Sequence, residues 1–166
     1  MNIKNENPDI LNFLANLSND EVFTPTKLAT RVLDELPSNI WSNPNIKILD
    51  PVCKTGIFLR EAASRFNIGL KNKIKDDKKR IDHILKNQIF GIAITELTSL
   101  ISRRSVYYSR DTKSKFSICK KFNNRNGNIL YNVSSHKWIS DRCTYCGASK
   151  IQYDRTEGSE NYAYEF

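Results

Sequence analysis

Two short stretches hold the residue types and spacings that could do chemistry. In the first, Asp50-Pro51-Val52-Cys53-Lys54-Thr55-Gly56 follows the apolar run Ile46 to Leu49 and precedes Ile57, Phe58, Ala62 and Phe66, which fall at helical spacing. The pattern reads as strand, loop and helix, the opening unit of a parallel α/β sheet. In such a sheet ligands bind beyond the carboxyl ends of the strands, where a glycine lets the backbone approach and a helix start offers free N–H groups. A carboxylate (Asp50) and a turn closed by Gly56 stand at that place; a nucleotide-binding unit of another kind, or a strand and helix with no ligand, would carry a similar pattern. In the second stretch, Cys143-Thr144-Tyr145-Cys146-Gly147 forms a Cys-x-x-Cys-Gly knuckle. Its backbone N–H groups can point at the sulfurs while glycine relieves the turn, which is half of a zinc site. Cys119 and His136 are the candidates for the other half, completing four protein ligands around a structural ion. A redox pair or plain buried cysteines are the rival readings; a redox pair wants a strand and helix around it, and these flanks are polar and turn-like.

The elements that must position these residues follow from the rest of the chain. Asn7-Pro8-Asp9 followed by Ile10, Phe13, Leu14 and Leu17 reads as a capped helix. Phe23-Thr24-Pro25 precedes Leu28, Ala29, Val32, Leu33 and Leu36 at helical spacing, with Thr24 as cap and Pro25 as opening residue of a helix that runs to Pro37. Gln88 to Ile94 reads as a second buried strand, and Thr95 as the cap of a helix with Leu97, Leu100, Ile101 and Tyr108 inward. Asn126-Gly127, a strong turn signal, separates Phe116–Phe122 from Ile129–Val133 and predicts a hairpin. The expected organisation is 1–44 for N-terminal helices, 45–112 for a β-α-β core, 113–150 for a zinc-ribbon-like insertion and 151–166 for a return to the core. His83, alone on a basic helix, reads as surface or core.

At 166 residues the chain is one domain, or a domain with a small insertion. It shows no apolar run long enough to span a bilayer and no signal-peptide pattern, so a cytoplasmic location is expected. Four cysteines in that reducing compartment read as thiols or metal ligands. Lys plus Arg total 26 against 18 Asp plus Glu, a net charge of +8 that favours a polyanionic partner such as DNA. Between Arg103 and Arg125 lie eight basic residues and one acid, Asp111, a stretch suited to a phosphate backbone.

Asp50-Pro-Val-Cys-Lys-Thr-Gly-Ile-Phe-Leu59 resembles the first S-adenosylmethionine motif of amino-methylating DNA methyltransferases, Asp-Pro-x-Cys-Gly-x-Gly-x-Phe-Leu, with Lys54 in place of the first glycine. Phe23-Thr24-Pro25 resembles the Phe-Thr-Pro-Pro segment that precedes the first strand in many adenine-specific members, with Thr26 in place of the second proline. The resemblance implies a partial Rossmann-like class I methyltransferase sheet in which Phe23, Thr24, Pro25, Asp50, Pro51, Cys53, Lys54, Thr55 and Gly56 line the methionine end of the cofactor. In that family an acid at the end of the second strand holds the ribose; Ala93 stands there, and Glu96, three residues on, takes the role or serves as a surface residue at a helix start. The Asn-Pro-Pro-Tyr or Asp-Pro-Pro-Tyr tetrapeptide that holds the target amine does not occur in the sequence, and Asn43-Pro44-Asn45-Ile46 reads as a turn. The resemblance thus implies the cofactor-binding N-terminal part of a restriction-modification methyltransferase, inactive alone, with DNA, S-adenosylmethionine and a missing C-terminal part or restriction subunit as partners. Two readings stand beside it: a non-enzymatic zinc-ribbon module that binds nucleic acid, and a dinucleotide-dependent oxidoreductase, which the glycine spacing disfavours.

Overall fold

A computed structural model describes residues 24–93, 95–131, 134–153 and 162–163. The capped helix expected near Asn7 and the residue Phe23 lie outside the described residues. Strands β1 (Ile48–Asp50), β2 (Ile89–Ala93) and β3 (Ile129–Tyr131) form a parallel sheet in the order β1-β2-β3. Asp50 pairs with Gly91, and Ala93 with Tyr131. Helix α1 (Thr26–Asp34) leads through a 3-10 turn (Ser38–Ser42) into β1; α2 (Ile57–Gly69) and α3 (Asp77–Asn87) connect β1 to β2; α4 (Glu96–Tyr107) follows β2.

Both crossovers advance across the sheet in one direction. Because such connections are right-handed, their helices fall on the same face. That face is the core: Ile89, Ala93 and Ile129 from the sheet pack with Leu59, Ala62 and Phe66 of α2, Ile84 and Leu85 of α3, and Val106 and Tyr107 of α4. Phe66 is fully buried, with Trp41 edge-on to it at 5.1 Å between ring centres. The other face is apolar too but open: Leu49 and Leu130 are each 53% exposed, and Phe90 and Ile92 between them are half-buried.

Buried polar groups tie the layer together through the backbone. Arg103 sends Nε and Nη2 to the Ile129 carbonyl (3.1 and 3.0 Å), so this cation of the basic stretch is a staple of β3. Arg80, also buried, bonds the Ile74 carbonyl, Asn67 and Asp77. Gln88 Nε2 donates to the Asn43 and Ile46 carbonyls, and His83 Nε2 lies 3.0 Å from the Pro44 carbonyl. Asn43 to Ile46 is therefore a pinned turn ahead of β1.

Three expectations are corrected. No hairpin forms about Asn126-Gly127; Ile129–Tyr131 is instead the third strand of the main sheet, so the core extends into the span assigned to an insertion. The glycine is needed for contact: at φ +63° it passes Tyr107, whose hydroxyl would lie 2.8 Å from a methyl group added there, and Asn128 next to it accepts the Gly91 N–H to begin the ladder. On α4 the buried residues are Thr98, Ser99, Ser102, Arg103, Val106 and Tyr107, whereas Leu97, Leu100 and Ile101 are half-buried and Tyr108 is 70% exposed. Small hydroxyl side chains let this helix come close to the loop after β1. On α1 the N-cap is Pro25 rather than Thr24, no side chain caps it, and the helix stops at Asp34. Thr95 does cap α4, its hydroxyl accepting the Thr98 N–H at 3.1 Å.

Beyond β3 the chain forms small pairs. β4 (Ser134–Ser135) pairs antiparallel with β7 (Tyr162–Ala163), and β5 (Trp138–Ile139) with β6 (Arg142–Cys143). Ser140 (φ 48°) and Asp141 (φ 63°) close the second pair as a two-residue turn with both φ positive, the geometry that matches the twist of a hairpin. A short α5 (Lys150–Tyr153) follows.

Candidate functional site

The segment after β1 is held by its main chain. Asp50 Oδ1 accepts the Val52 N–H (3.2 Å), bending the chain back on itself; the Cys53 N–H donates to the Ile92 carbonyl of β2 (3.0 Å); and the Gly56 N–H closes the turn on the Cys53 carbonyl. Gly56 starts α2 at φ +74°, and a methyl group on it would lie 2.6 Å from the Ser102 hydroxyl and 3.1 Å from that residue's Cα. No other residue fits this crossing of loop and α4 without displacing the helix.

Lys54 stands at φ +36°. A lysine here takes the left-handed backbone region that glycine favours, at a conformational cost of about 1–2 kcal/mol. Helix α2 begins without a side-chain cap, leaving the N–H groups of its first turn at the loop without a side-chain acceptor. The second oxygen of Asp50, Oδ2, is buried with no hydrogen-bond partner among the described residues. Burial raises the Asp50 pKa, and the Val52 N–H works against that rise.

Cys53 faces the opposite way from the expected lining. It is 2% exposed, its thiol accepts from the Ser102 hydroxyl at 3.5 Å, and a methyl group on Gly91 would lie 3.1 Å from its sulfur. Burial foremost, with the nearby Asp50, pushes this thiol up to about 11. Pro51 is exposed and Thr55 half-buried. Glu96 is exposed in the first turn of α4, so it follows the carboxyl end of β2 on the same sheet edge as the Asp50 loop. Thr24 and Pro25 precede α1, whose last turns are tied to α2 by Arg65, bonded to the Thr30 carbonyl (2.9 Å) and Asp34 (2.7 Å). A separate cleft of about 390 Å³, bounded by residues such as Arg60, Asn67, Ile81, Ser105 and Ile118, opens between α2, α3 and α4.

The second cluster lies on the small ribbon. The ligand atoms of His136, Cys143 and Cys146 are all within 4.8 Å of one another, and Cys146 Sγ is 3.6 Å from His136 Nδ1. The knuckle has the expected wiring: the Tyr145 N–H points at Cys143 Sγ (3.4 Å), the Gly147 N–H donates to the Cys143 carbonyl (2.9 Å), and Gly147 takes φ +71°. Burial works against the Cys143 thiolate, but backbone N–H groups led by that of Cys146, together with His136, bring its pKa down to about 6. The His136 ring stacks on Trp138 at 4.6 Å.

Cys119, expected as a fourth ligand, is not in this group. It is fully buried in the α/β core with Tyr107, Phe122 and Ile129, and its thiol lies beside Asp82. Burial pushes it up to about 11. Its apolar neighbours, Ile118 and Phe122, were the signal that it belongs to the core.

No family model matches the chain. A protein of Mycoplasma pneumoniae named "Uncharacterized adenine-specific methylase" is 37% identical to it over 178 aligned positions, which take in 97% of this chain and 42% of that protein. The chain thus spans less than half the length of the curated relative it matches. No helix among the described residues is long and apolar enough to cross a membrane.

Proposed function

We propose that this chain is the cofactor-binding part of an S-adenosylmethionine-dependent methyltransferase that acts on the amino group of adenine in DNA, within a restriction-modification system. The observation that carries the reading is the loop from Asp50 to Gly56. It stands at the carboxyl edge of a parallel sheet, keeps a left-handed residue at Lys54, and belongs to a chain that is 37% identical to a protein named an adenine-specific methylase.

The loop's own chemistry suits such a cofactor. Asp50 Oδ2, buried and unpartnered among the described residues, offers an acceptor to a cationic or N–H-bearing group. The uncapped start of α2 offers N–H donors to a carboxylate. Bound there, the cofactor supplies an electrophilic methyl group on a sulfonium. Asp50 would orient its methionine end, Lys54, Thr55 and Gly56 would shape the bend around it, Phe23, Thr24 and Pro25 would lie over it, and Glu96 would accept from the ribose hydroxyls. Cys53 contributes its backbone to the bend while its side chain packs inward.

DNA would be met by the exposed cations from Arg104 to Arg125. Two exposed rings, Tyr108 and Phe116, stand among them, and Lys115 Nζ lies 5.0 Å over the Phe116 ring. Cations interleaved with exposed aromatics suit a nucleic acid whose bases are unstacked.

The open sheet face and the edge of β1, which has no strand partner beyond β2 among the described residues, would be covered by polypeptide equivalent to the part of the relative outside the match. Growth past β1 reverses the direction of the sheet, so right-handed connections there put their helices over Leu49, Phe90, Ile92 and Leu130. That part would also bring the residues that hold the target amine.

Calorimetric titration with S-adenosylmethionine tests the reading. Saturable binding that Asp50→Ala abolishes and Cys146→Ser leaves intact is the expected result. Failure to bind, both by this chain and by a longer version that carries the rest of the sheet, overturns it.

A further inference from the structure

We infer that His136, Cys143 and Cys146 hold one zinc ion, and that its fourth ligand is none of the other cysteines or histidines of this sequence. Bond lengths of about 2.3 Å to sulfur and 2.0–2.1 Å to nitrogen, opened to a tetrahedral angle, put a thiolate and an imidazole about 3.6 Å apart. Cys146 Sγ and His136 Nδ1 are 3.6 Å apart, and the Cys143 sulfur lies within 4.8 Å of both.

The surroundings hold this arrangement in place. The antiparallel pair β5-β6 sets Trp138 opposite Cys143, and Trp138 stacks on the His136 ring with 20° between the planes. Backbone N–H groups turn toward the Cys143 sulfur and carbonyl, as in zinc knuckles, where they share the negative charge of the thiolate. Two thiolates and one neutral imidazole bring a divalent ion to zero net charge, which suits a cluster with Cys143 only 3% exposed.

The other soft donors of this sequence are engaged away from the ribbon. The whole chain has four cysteines and two histidines. Cys53 is packed between Gly91 and Ser102, Cys119 is in the core beside Asp82, and His83 sits against the Pro44 carbonyl and Asn87. All three are committed elsewhere, so none of them supplies the remaining position. An exchangeable fourth ligand would let the ion bind a further molecule, whereas a fourth protein ligand would close the site.

Elemental analysis of the full chain, purified without chelator, is expected to give one zinc per chain. His136→Ala, Cys143→Ser and Cys146→Ser are each expected to lose it, while Cys119→Ala and Cys53→Ala keep it. Circular dichroism checks that each variant retains its α/β layer. Competition of the unaltered chain against a chromophoric zinc chelator reads the same site without any substitution. Cobalt in place of zinc should give tetrahedral visible bands with the charge-transfer intensity of two thiolates. A shift of those bands on adding azide marks the fourth position as exchangeable, and no shift marks it as held by a protein group. The inference is overturned by absence of stoichiometric metal, by loss of metal in Cys119→Ala, by three-thiolate intensity, or by a Cys143–Cys146 disulfide found by mass. It does not depend on cofactor binding at the Asp50 loop.

Discussion

Cys53, in the turn after β1, and Cys143, at the end of β6, are both buried, 2% and 3% exposed, yet their thiols are pushed in opposite directions, up to about 11 and down to about 6. The difference lies in what the backbone does around each sulfur. At Cys53 the loop's N–H groups have other acceptors: its own the Ile92 carbonyl, that of Gly56 the Cys53 carbonyl, and that of Val52 the Asp50 carboxylate. The sulfur is left with the Ser102 hydroxyl, the Gly91 backbone and a nearby carboxylate. At Cys143 the turn aims N–H groups at the sulfur, and an imidazole stands beside it. One turn packs its cysteine into the core, and the other presents it to backbone N–H groups beside an imidazole. Burial alone does not distinguish them.

Two glycines offer the sharpest way to break this comparison. Gly56 and Gly147 have nearly the same φ, +74° and +71°, but a methyl group would collide with Ser102 at the first and meet nothing within 4 Å at the second. Gly56→Ala should cost about 3 kcal/mol in urea unfolding, from backbone strain plus the displaced helix. Gly147→Ala should cost about 1 kcal/mol, from strain alone. Equal losses would mean that the two turns are packed alike.

Cys53→Ser sharpens it next. A hydroxyl in that apolar site loses about 2 kcal/mol, read as a lower urea midpoint for the α/β layer. Cys143→Ser should leave that midpoint unchanged and abolish only metal binding.

Smaller still is Lys54→Gly, expected to add about 0.5–1 kcal/mol by relieving the left-handed lysine, net of glycine's entropy when unfolded. A loss of stability on that change would show that the lysine side chain contributes a contact. The last concerns Asp50. Its pKa is raised in the fold above the ordinary 3.8, so the folded chain holds this proton more tightly than the unfolded one. The corresponding stability is therefore fully present below the unfolded value and is lost as pH rises through the folded one. Asp50→Asn should flatten this part of the pH–stability profile between the two values. At neutral pH it should stabilise the chain and, under the proposed function, weaken cofactor binding, because the group disfavoured by burial is the one proposed to meet the ligand.

Where pattern and structure agree, the signal was local and had one physical cause. The run from Ile46 to Phe66 alternates between apolar strand and apolar helix spacing around a glycine turn, and β1, loop and α2 follow it. The Thr95 cap and the Cys143-x-x-Cys146-Gly147 knuckle were equally legible. Where they part, one residue type served two physical ends. Asn126-Gly127 marks a turn, but the same two residues can lead a chain past a tyrosine into a parallel strand, and only the partner strand decides. Cysteine is both a soft ligand and a small core residue, so Cys119 could not be sorted without its neighbours. The inner face of α4 was missed because closeness to Gly56 favours serine and threonine, which hydrophobic periodicity reads as surface.

The row Leu49, Phe90, Ile92 and Leu130 also bears on how the chain behaves when handled by itself. With part of one sheet face already in water, unfolding it adds less new apolar hydration than its length suggests. Its heat-capacity increment per residue should therefore fall below that of ordinary globular domains. The same wetted row should bind fluorescent dyes that seek greasy surfaces even in the native state, so dye-based melting curves will start from a high background.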